Sequence, residues 1–437
     1  MVQKKYLTLW NESVKNFEFI YRFDKSARKK MGNREKLIIK TFGPIQNAEV
    51  IFNKVTIFVG EQGEGKSTIV KLYSLFTWLE KAITRHQVKI SDLEKPARFK
   101  NKYSLYNNLS SLFKDETEIT FHGLHYCFTY KKGGISITEN KENTDDFNLA
   151  KVMYVPAERN ILGSIDHPSY LKGLPPALFT FLEEYDKAKN ALKTGFELPF
   201  NNTFFEYDAL NDMPKIRNND YEIKLSEASS GFQSTLPLLL VSKHISDMVF
   251  DRSKSSELTE TEKKTLKREV EKIMGNENLT EEVKVASLKS LSAKYKYSRF
   301  LNIVEEPELN LYPTSQRNVL IRLIEDAKKL ENNKLVMTTH SPYVINYLTI
   351  FVKAAQLAKQ IKKDKWLKEV EKIVPLKAHL CSSELVIYQV SNGRVEQLAS
   401  SEGIPSDANF LNEMLQVTND DFDRLLEIEE EIENGNN

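Results

Sequence analysis

Val55–Val70 reads VTIFVGEQGEGKSTIV, and this stretch decides the fold. Val55, Ile57, Phe58 and Val59 form a short apolar, β-branched run, the signature of a buried strand. The run breaks at Gly60, and Gly60-x4-Gly65-Lys66-Ser67 matches the phosphate-loop pattern in full. Gly60, Gly63 and Gly65 let the backbone curl so that the N–H groups of Glu61, Gln62, Glu64 and their neighbours point at one anion. A helix over Ser67–Ala82 then starts with its positive dipole end toward the same anion, and Thr68 lies in its first turn. Lys66 is placed to reach the β and γ phosphates of a nucleotide, and the Ser67 hydroxyl to ligate Mg²⁺.

Outward from this loop the chain alternates strands and helices. Lys36–Lys40 and Ala48–Phe52 read as strands leading in, and Glu116–Thr138 as an antiparallel meander with turns at Gly123 and Lys132-Gly133-Gly134. Val152–Val155 is a short strand, Phe179–Lys193 an amphipathic helix, Tyr221–Leu225 a strand and Ser234–Phe250 a long apolar helix. Asp251–Lys296 is highly charged and reads as surface helices. Arg299–Val304 and Lys334–Thr338 are buried strands flanking a helix over Gln316–Leu330. Past His340 come a helix (Pro342–Ala358), a lysine-rich helix, a hairpin Glu384–Leu398 turning at Asn392-Gly393, and an acidic amphipathic helix. Such alternation predicts an α/β fold with a mixed sheet around the phosphate loop and an antiparallel β lobe.

Composition bounds the rest. The 437 residues are 41% hydrophobic and 28% charged, enough for one large core or two smaller ones. No apolar run of about twenty residues is present, which argues against a membrane span, and the N-terminus lacks an apolar signal core. Cys127 and Cys381 lie far apart and fit no metal or disulfide spacing, which suits a cytoplasmic protein. His122 and His125 crowd Cys127, but residues three apart point to opposite strand faces. The formal net charge of +1 gives no global pull toward nucleic acid, although Arg22–Lys40 and Lys353–Lys377 are locally basic and Asp420–Glu433 is acidic.

Three further motifs follow the phosphate loop in order. Ser229-Ser230-Gly231-Phe232-Gln233 opens a helix, where backbone N–H groups and a serine hydroxyl meet an anion. Strand Leu301–Val304 ends in Glu305-Glu306-Pro307-Glu308, two carboxylates suited to holding Mg²⁺ and orienting a water. Strand Lys334–Thr338 ends in Thr339-His340-Ser341-Pro342, an imidazole at γ-phosphate height. Together these motifs resemble the ABC-type ATPase heads of SMC, OLD-like and related proteins, over about 36–350 of this chain.

The resemblance implies roles. Gly60–Ser67 corresponds to Walker A, and Ser229, Ser230, Gly231 and Gln233 to the signature motif that contacts nucleotide. Glu305 takes the Mg²⁺-supporting Walker B position with Ser67, Glu306 that of the water-activating glutamate, and His340 that of the switch histidine. Glu308-Leu309-Asn310 corresponds to the D-loop, and Glu158-Arg159 falls where the Q-loop would, without its glutamine. Many ABC heads carry Asp at the position of Glu305, whereas OLD-like heads often read EEPE. The implied organisation is a first half-head at 1–160, a helical insertion at 161–220, and a second half-head at 221–350 interrupted by charged helices at 251–297. A helical and hairpin appendix at 351–437 completes it.

Among such heads, the chain lacks the long heptads of SMC proteins and any membrane-coupling region of an exporter. Asp421-Phe422-Asp423 matches an OLD nuclease motif, but it lies in an amphipathic helical pattern with no strand before it. YVPAERN, SSGFQS and EEPELNLYPTSQ make the chain similar to stand-alone ATPase subunits of antiphage systems such as PARIS and Septu. That resemblance implies ATP and Mg²⁺ as cofactors and a head-to-tail dimer or higher homo-oligomer. It also implies a separate effector, such as a nuclease, released on sensing DNA or a phage protein. The alternative expectation is a DNA-repair or recombination ATPase that clamps DNA through the basic segments.

Overall fold

A computed structural model of the chain describes residues 34–140, 149–251, 258, 260–276, 280–406 and 408–435. Most of the basic run that begins at Arg22 lies outside the described residues. Among the described residues, one sheet of eleven strands forms the body of the protein. Its members are β1 (Lys36–Phe42), β2 (Ile45–Ile51), β3 (Val55–Val59), β4 (Phe113–His122), β5 (Tyr126–Lys131), β6 (Gly134–Glu139) and β7 (Ala150–Val155). β12 (Arg299–Glu305), β13 (Lys334–Thr339), β14 (Leu385–Ser391) and β15 (Arg394–Gln397) complete it. The spatial order is β6-β5-β4-β1-β2-β15-β14-β3-β13-β12-β7. β14, β3, β13, β12 and β7 run parallel, whereas β6, β5, β4, β1 and β2 form an antiparallel lobe. The expected mixed α/β sheet with an antiparallel lobe is present.

Every residue of β3 is buried, because helices cover both sheet faces. Val55, Ile57 and Val59 face one core together with residues of α3 (Ser230–Phe250), α6 (Pro313–Lys328) and α7 (Pro342–Gln360). Phe58 faces the other core, with α1 (Lys66–Thr84) and the antiparallel lobe. That second core is aromatic: Phe52 stacks on Tyr73 at 3.6 Å between centroids, and Phe76 packs on Phe121 at 5.3 Å.

The two halves of the sheet are also joined by charge. Arg299 at the start of β12 makes a bidentate pair with Glu35 (2.8 and 2.9 Å), and Lys334 at the start of β13 reaches the same carboxylate at 2.6 Å. Tyr73 donates to it at 2.9 Å. Burial alone would push the Glu35 carboxyl up, but Arg299 and Lys334 hold it well below the usual range.

Two expectations change. The hairpin β14–β15 is no appendix: β14 pairs with the phosphate-loop strand from Leu385↔Val55 to Gln389↔Val59, and β15 meets β2 at Arg394↔Asn47. The segment expected to be a helical insertion, 161–220, does hold α2 (Pro176–Asn190). It also contributes β8 (Phe196–Glu197), β9 (Phe204–Asp208) and β10 (Met213–Arg217). With β11 (Glu222–Lys224) these make a separate four-stranded antiparallel sheet. The charged segment after α3 forms α4 (Glu260–Met274) and α5 (Glu281–Tyr295), as its composition predicts. α4 is pinned to the end of α1 by a buried Arg85–Glu262 pair at 2.7 Å. α8 (Asp364–Ile373) and the largely exposed α9 (Phe410–Gly435) follow. Asp421 and Asp423 sit within α9, on a helix as expected. Among the described residues no helix is long and apolar enough to cross a membrane.

Candidate nucleotide site

The topology assembles the site. β3, β13 and β12 are adjacent and parallel, with Thr339 opposite Val59 and Glu305 opposite Thr338. Gly60, His340 and Glu306 therefore each follow the C-terminal end of one of three neighbouring strands, the edge where open α/β sheets place ligands. The phosphate loop is more than two hundred residues from the other two motifs in sequence, and the sheet register brings all three side by side.

The loop after β3 is shaped by close approach as well as by conformation. Gly60 has φ +149°, and a Cβ there would lie 2.1 Å from the Val390 carbonyl oxygen of β14. Gly65, the N-cap of α1 at φ +104°, would place a Cβ 2.5 Å from Ile45 Cδ1. Gly63 (φ +82°) has no neighbour within 4 Å and is required by backbone conformation alone. The Lys66 ammonium folds over the loop and donates to the Gly60 and Glu61 carbonyls at 2.8 and 2.6 Å. Burial lowers its pKa, partly offset by the Glu306, Glu64, Glu308 and Glu305 carboxylates around it. Glu61 and Gln62 are exposed, Ser67 and Thr68 are half-buried in the first turn of α1, and the Glu64 carboxylate reaches toward the Gly393 N–H at 3.4 Å.

Glu305 is the last residue of β12 and is 7% exposed. Its Oε1 is buried and accepts no hydrogen bond, while Oε2 meets the Ala157 N–H at 3.4 Å. Burial, together with the neighbouring Glu305 charge, pushes the Tyr154 hydroxyl well above its ordinary pKa. Glu306 adopts φ +45°, a left-handed conformation that costs a side-chain-bearing residue about 1–3 kcal/mol. Its carboxylate stands 3.8 Å from His340 Nε2. Burial and the Lys66 charge lower the His340 pKa, opposed by the Glu306 charge and a hydrogen bond with the Gly60 backbone. The Glu308 carboxylate receives the His340 N–H and the Thr339 hydroxyl, both at 2.8 Å, and so fixes the loop that carries the imidazole. Burial raises the pKa of Glu308.

Ser229 is the N-cap of α3, and Ser229 and Ser230 are exposed, with no side-chain hydrogen bond capping the helix. Gly231 packs on the Glu308–Asn310 segment, where a Cβ would lie 2.9 Å from the Asn310 carbonyl oxygen. The Gln233 amide nitrogen donates to the Leu225, Ser226 and Ala228 carbonyls at 3.4, 3.0 and 2.9 Å. It ties down the turn before the helix. Among the described residues, no hydrogen bond joins 229–233 to the 60–68 loop.

Arg159 is the residue whose role the sequence did not disclose. It is 1% exposed, and its guanidinium donates to the carbonyls of Glu305 (2.6 Å), Glu306 (2.6 Å), Pro156 (3.2 Å) and Ser234 (3.1 Å). Burial lowers its pKa to about 10, against the raising effect of Glu308, Glu306 and Glu305. The signal available in sequence was an arginine four residues after the end of strand Val152–Val155, within a segment otherwise missing its expected glutamine.

Residues 301–346 match a family model described as "AAA domain, putative AbiEii toxin, Type IV TA system". No curated protein matches the chain. Among solved structures, the SMC head domain from Thermotoga maritima aligns over 85% of this chain and 100% of its own. The identity is 13% and the TM-score 0.34. The Smc head domain with an extended coiled coil bound to the C-terminal domain of ScpA, derived from Pyrococcus furiosus, aligns over 89% and 99% at 9% identity, with a TM-score of 0.35. The recombination mediator protein RecF with ATP, of the RecFOR pathway, aligns over 84% and 98% at 11% identity, with a TM-score of 0.29.

Proposed function

We propose that this chain is an ABC-type ATPase that binds and hydrolyses ATP and acts as an oligomeric switch in antiphage defence, gating a separate effector such as a nuclease. The observation that carries the ATPase reading is the alignment of the Gly60–Ser67 loop, Glu305–Glu306 and His340 at the ends of three adjacent strands. The loop N–H groups and the α1 N-terminus bind the triphosphate, with Lys66 exchanging its carbonyl partners for phosphate oxygens. Ser67 and Glu305 would hold Mg²⁺; the buried Oε1 of Glu305, whose polar neighbour is the Tyr154 hydroxyl and which has no well-formed hydrogen bond, fits a hard cation that binds few protein oxygens. When bound, that ion supplies charge neutralisation on the phosphates. Glu306 orients the attacking water, and His340 contributes an imidazole to the γ-phosphate region.

Exposed Ser229 and Ser230 at a helix N-terminus support a signature surface that serves a second copy of the chain. The defence reading draws on the family model over 301–346, whose description names a toxin, and it supposes a cytoplasmic protein. The DNA-clamp reading rests on the lysine-rich Lys353–Lys377 segment, within which α8 itself is balanced, Lys365, Lys368 and Lys372 standing against Asp364, Glu369 and Glu371. Mg²⁺-dependent phosphate release from ATP by the wild-type chain, abolished with nucleotide binding in Lys66→Ala, is the expected result. A Lys66→Ala chain that hydrolyses at the parental rate would overturn the reading.

A further inference from the structure

We infer that Arg159 is a positioning residue that sets the backbone of the Glu305–Glu306 turn and links it mechanically to the start of α3; this rests on the ATPase reading. Glu306 takes a left-handed φ of +45°, which turns its carbonyl away from the direction the strand would give it. The Arg159 Nη2 donates to that carbonyl at 2.6 Å, and Nη1 donates to the preceding Glu305 carbonyl at 2.6 Å. Two donors of one rigid planar group thus fix two successive peptides, and the direction of the Glu306 carboxylate follows from them. The third anchor lies on another element. Nε donates to Ser234 O at 3.1 Å, within the first turns of α3 behind Ser229–Gly231.

The same segment docks on α3 a second time. Pro237 lacks an N–H and so cannot bond the Gln233 carbonyl within the helix. Gly163 packs against that carbonyl, where any Cβ would lie 2.5 Å from Gln233 O and 2.7 Å from Gln233 Cα. Residues 157–164 therefore form a rigid bracket between the turn that orients water in this chain and the helix whose exposed N-terminus serves a partner copy. A shift of α3 on meeting a neighbour's nucleotide is transmitted through Arg159 to Glu306.

Lysine retains the charge at 159 but not the planar fork, so Arg159→Lys isolates positioning from electrostatics. The expected result is a kcat lower by about 100-fold, the scale of a misplaced catalytic group, with KM and affinity for a fluorescent ATP analogue within about threefold of wild type. Because Arg159 acts through Glu306, adding Arg159→Lys to a Glu306→Gln chain should cost no more than about twofold further. Gly163→Ala keeps the guanidinium but pushes the bracket off α3, and should reproduce the kcat loss at unchanged affinity. A fully active Gly163→Ala would overturn the proposal even where Arg159→Lys fails to fold. Wild-type hydrolysis with an unimpaired Arg159→Lys, or full additivity with Glu306→Gln, overturns this proposal alone. A wild-type chain that binds but never hydrolyses ATP overturns the ATPase reading and this proposal with it.

Discussion

Gly60→Ala tests the contact between the phosphate loop and the C-terminal hairpin. The added Cβ would lie 2.1 Å from the Val390 carbonyl oxygen and 3.2 Å from Val390 C. A carbon and a carbonyl oxygen approach comfortably at about 3.3 Å, so something must open by about 1 Å. β14 cannot yield freely, since it is laddered to β3 from Leu385 to Gln389. The φ of +149° adds conformational strain of about 1–3 kcal/mol for a residue with a side chain. Overpacking against fixed backbone adds about 1–3 kcal/mol more, for a total near 4 kcal/mol. If β14 moves, that cost appears as lost stability, a fall in Tm of about 5 °C for a chain of this size. If the loop moves, it appears as ATP affinity weakened by about 10³-fold. Thermal unfolding and nucleotide titration on the same samples separate the two. Gly63→Ala is the control: it meets no neighbour within 4 Å and carries only the conformational cost. Gly60→Ala with the Tm and affinity of the parent, or a Gly63→Ala that is worse, would refute the close approach.

Glu306→Gln should lower kcat steeply while leaving KM near the parental value, because the lost carboxylate acts on water in the transition state; the same phenotype in Glu305→Gln alone would mean the two roles are exchanged. Glu80 is buried among the His125 and Tyr126 N–H groups, and burial, reinforced by Glu35, raises its pKa to about 7. Its contribution is thus fully present below the unfolded pKa near 4.5 and is lost as pH rises through 7, about 3 kcal/mol in all. Glu80→Gln, which cannot ionise, should unfold with wild type near pH 5 and above it at pH 8; an equal Tm difference at both pH values would count against this.

What could be read in the sequence was local. Gly60–Ser67, Glu305–Glu306 and Thr339–His340 each announce themselves by residue types at fixed spacing beside an apolar strand. The ends of β3, β12 and β13 then place them together without further information. The hairpin Glu384–Leu398 was legible as a hairpin but not as a neighbour of β3, since a parallel pairing across some three hundred residues leaves no local trace. A clue existed in Leu385–Tyr388, four consecutive buried residues without polar alternation, as an internal strand requires. β8–β10 were missed because their strands run two to five residues and carry half-exposed polar positions, whereas β11 falls within the strand read over Tyr221–Leu225. Arg159 was legible only as a residue type, because carbonyl acceptors supplied by two other segments have no sequence signature.

The central claim, a nucleotide site completed by a second copy, is tested most directly by mixing two inactive chains. Lys66→Ala removes the loop cation, and Ser229→Asp keeps a good N-cap while setting a carboxylate against phosphate at the exposed start of α3. It also avoids Gly231, whose tight packing on Asn310 makes substitution there a structural lesion. In a head-to-tail pair of the two variants, one site carries both lesions and the other neither. With random exchange and independent sites, the one-to-one mixture should recover about a quarter of the wild-type ATPase rate. Demonstrated association of the two variants with no recovered hydrolysis would contradict the shared site.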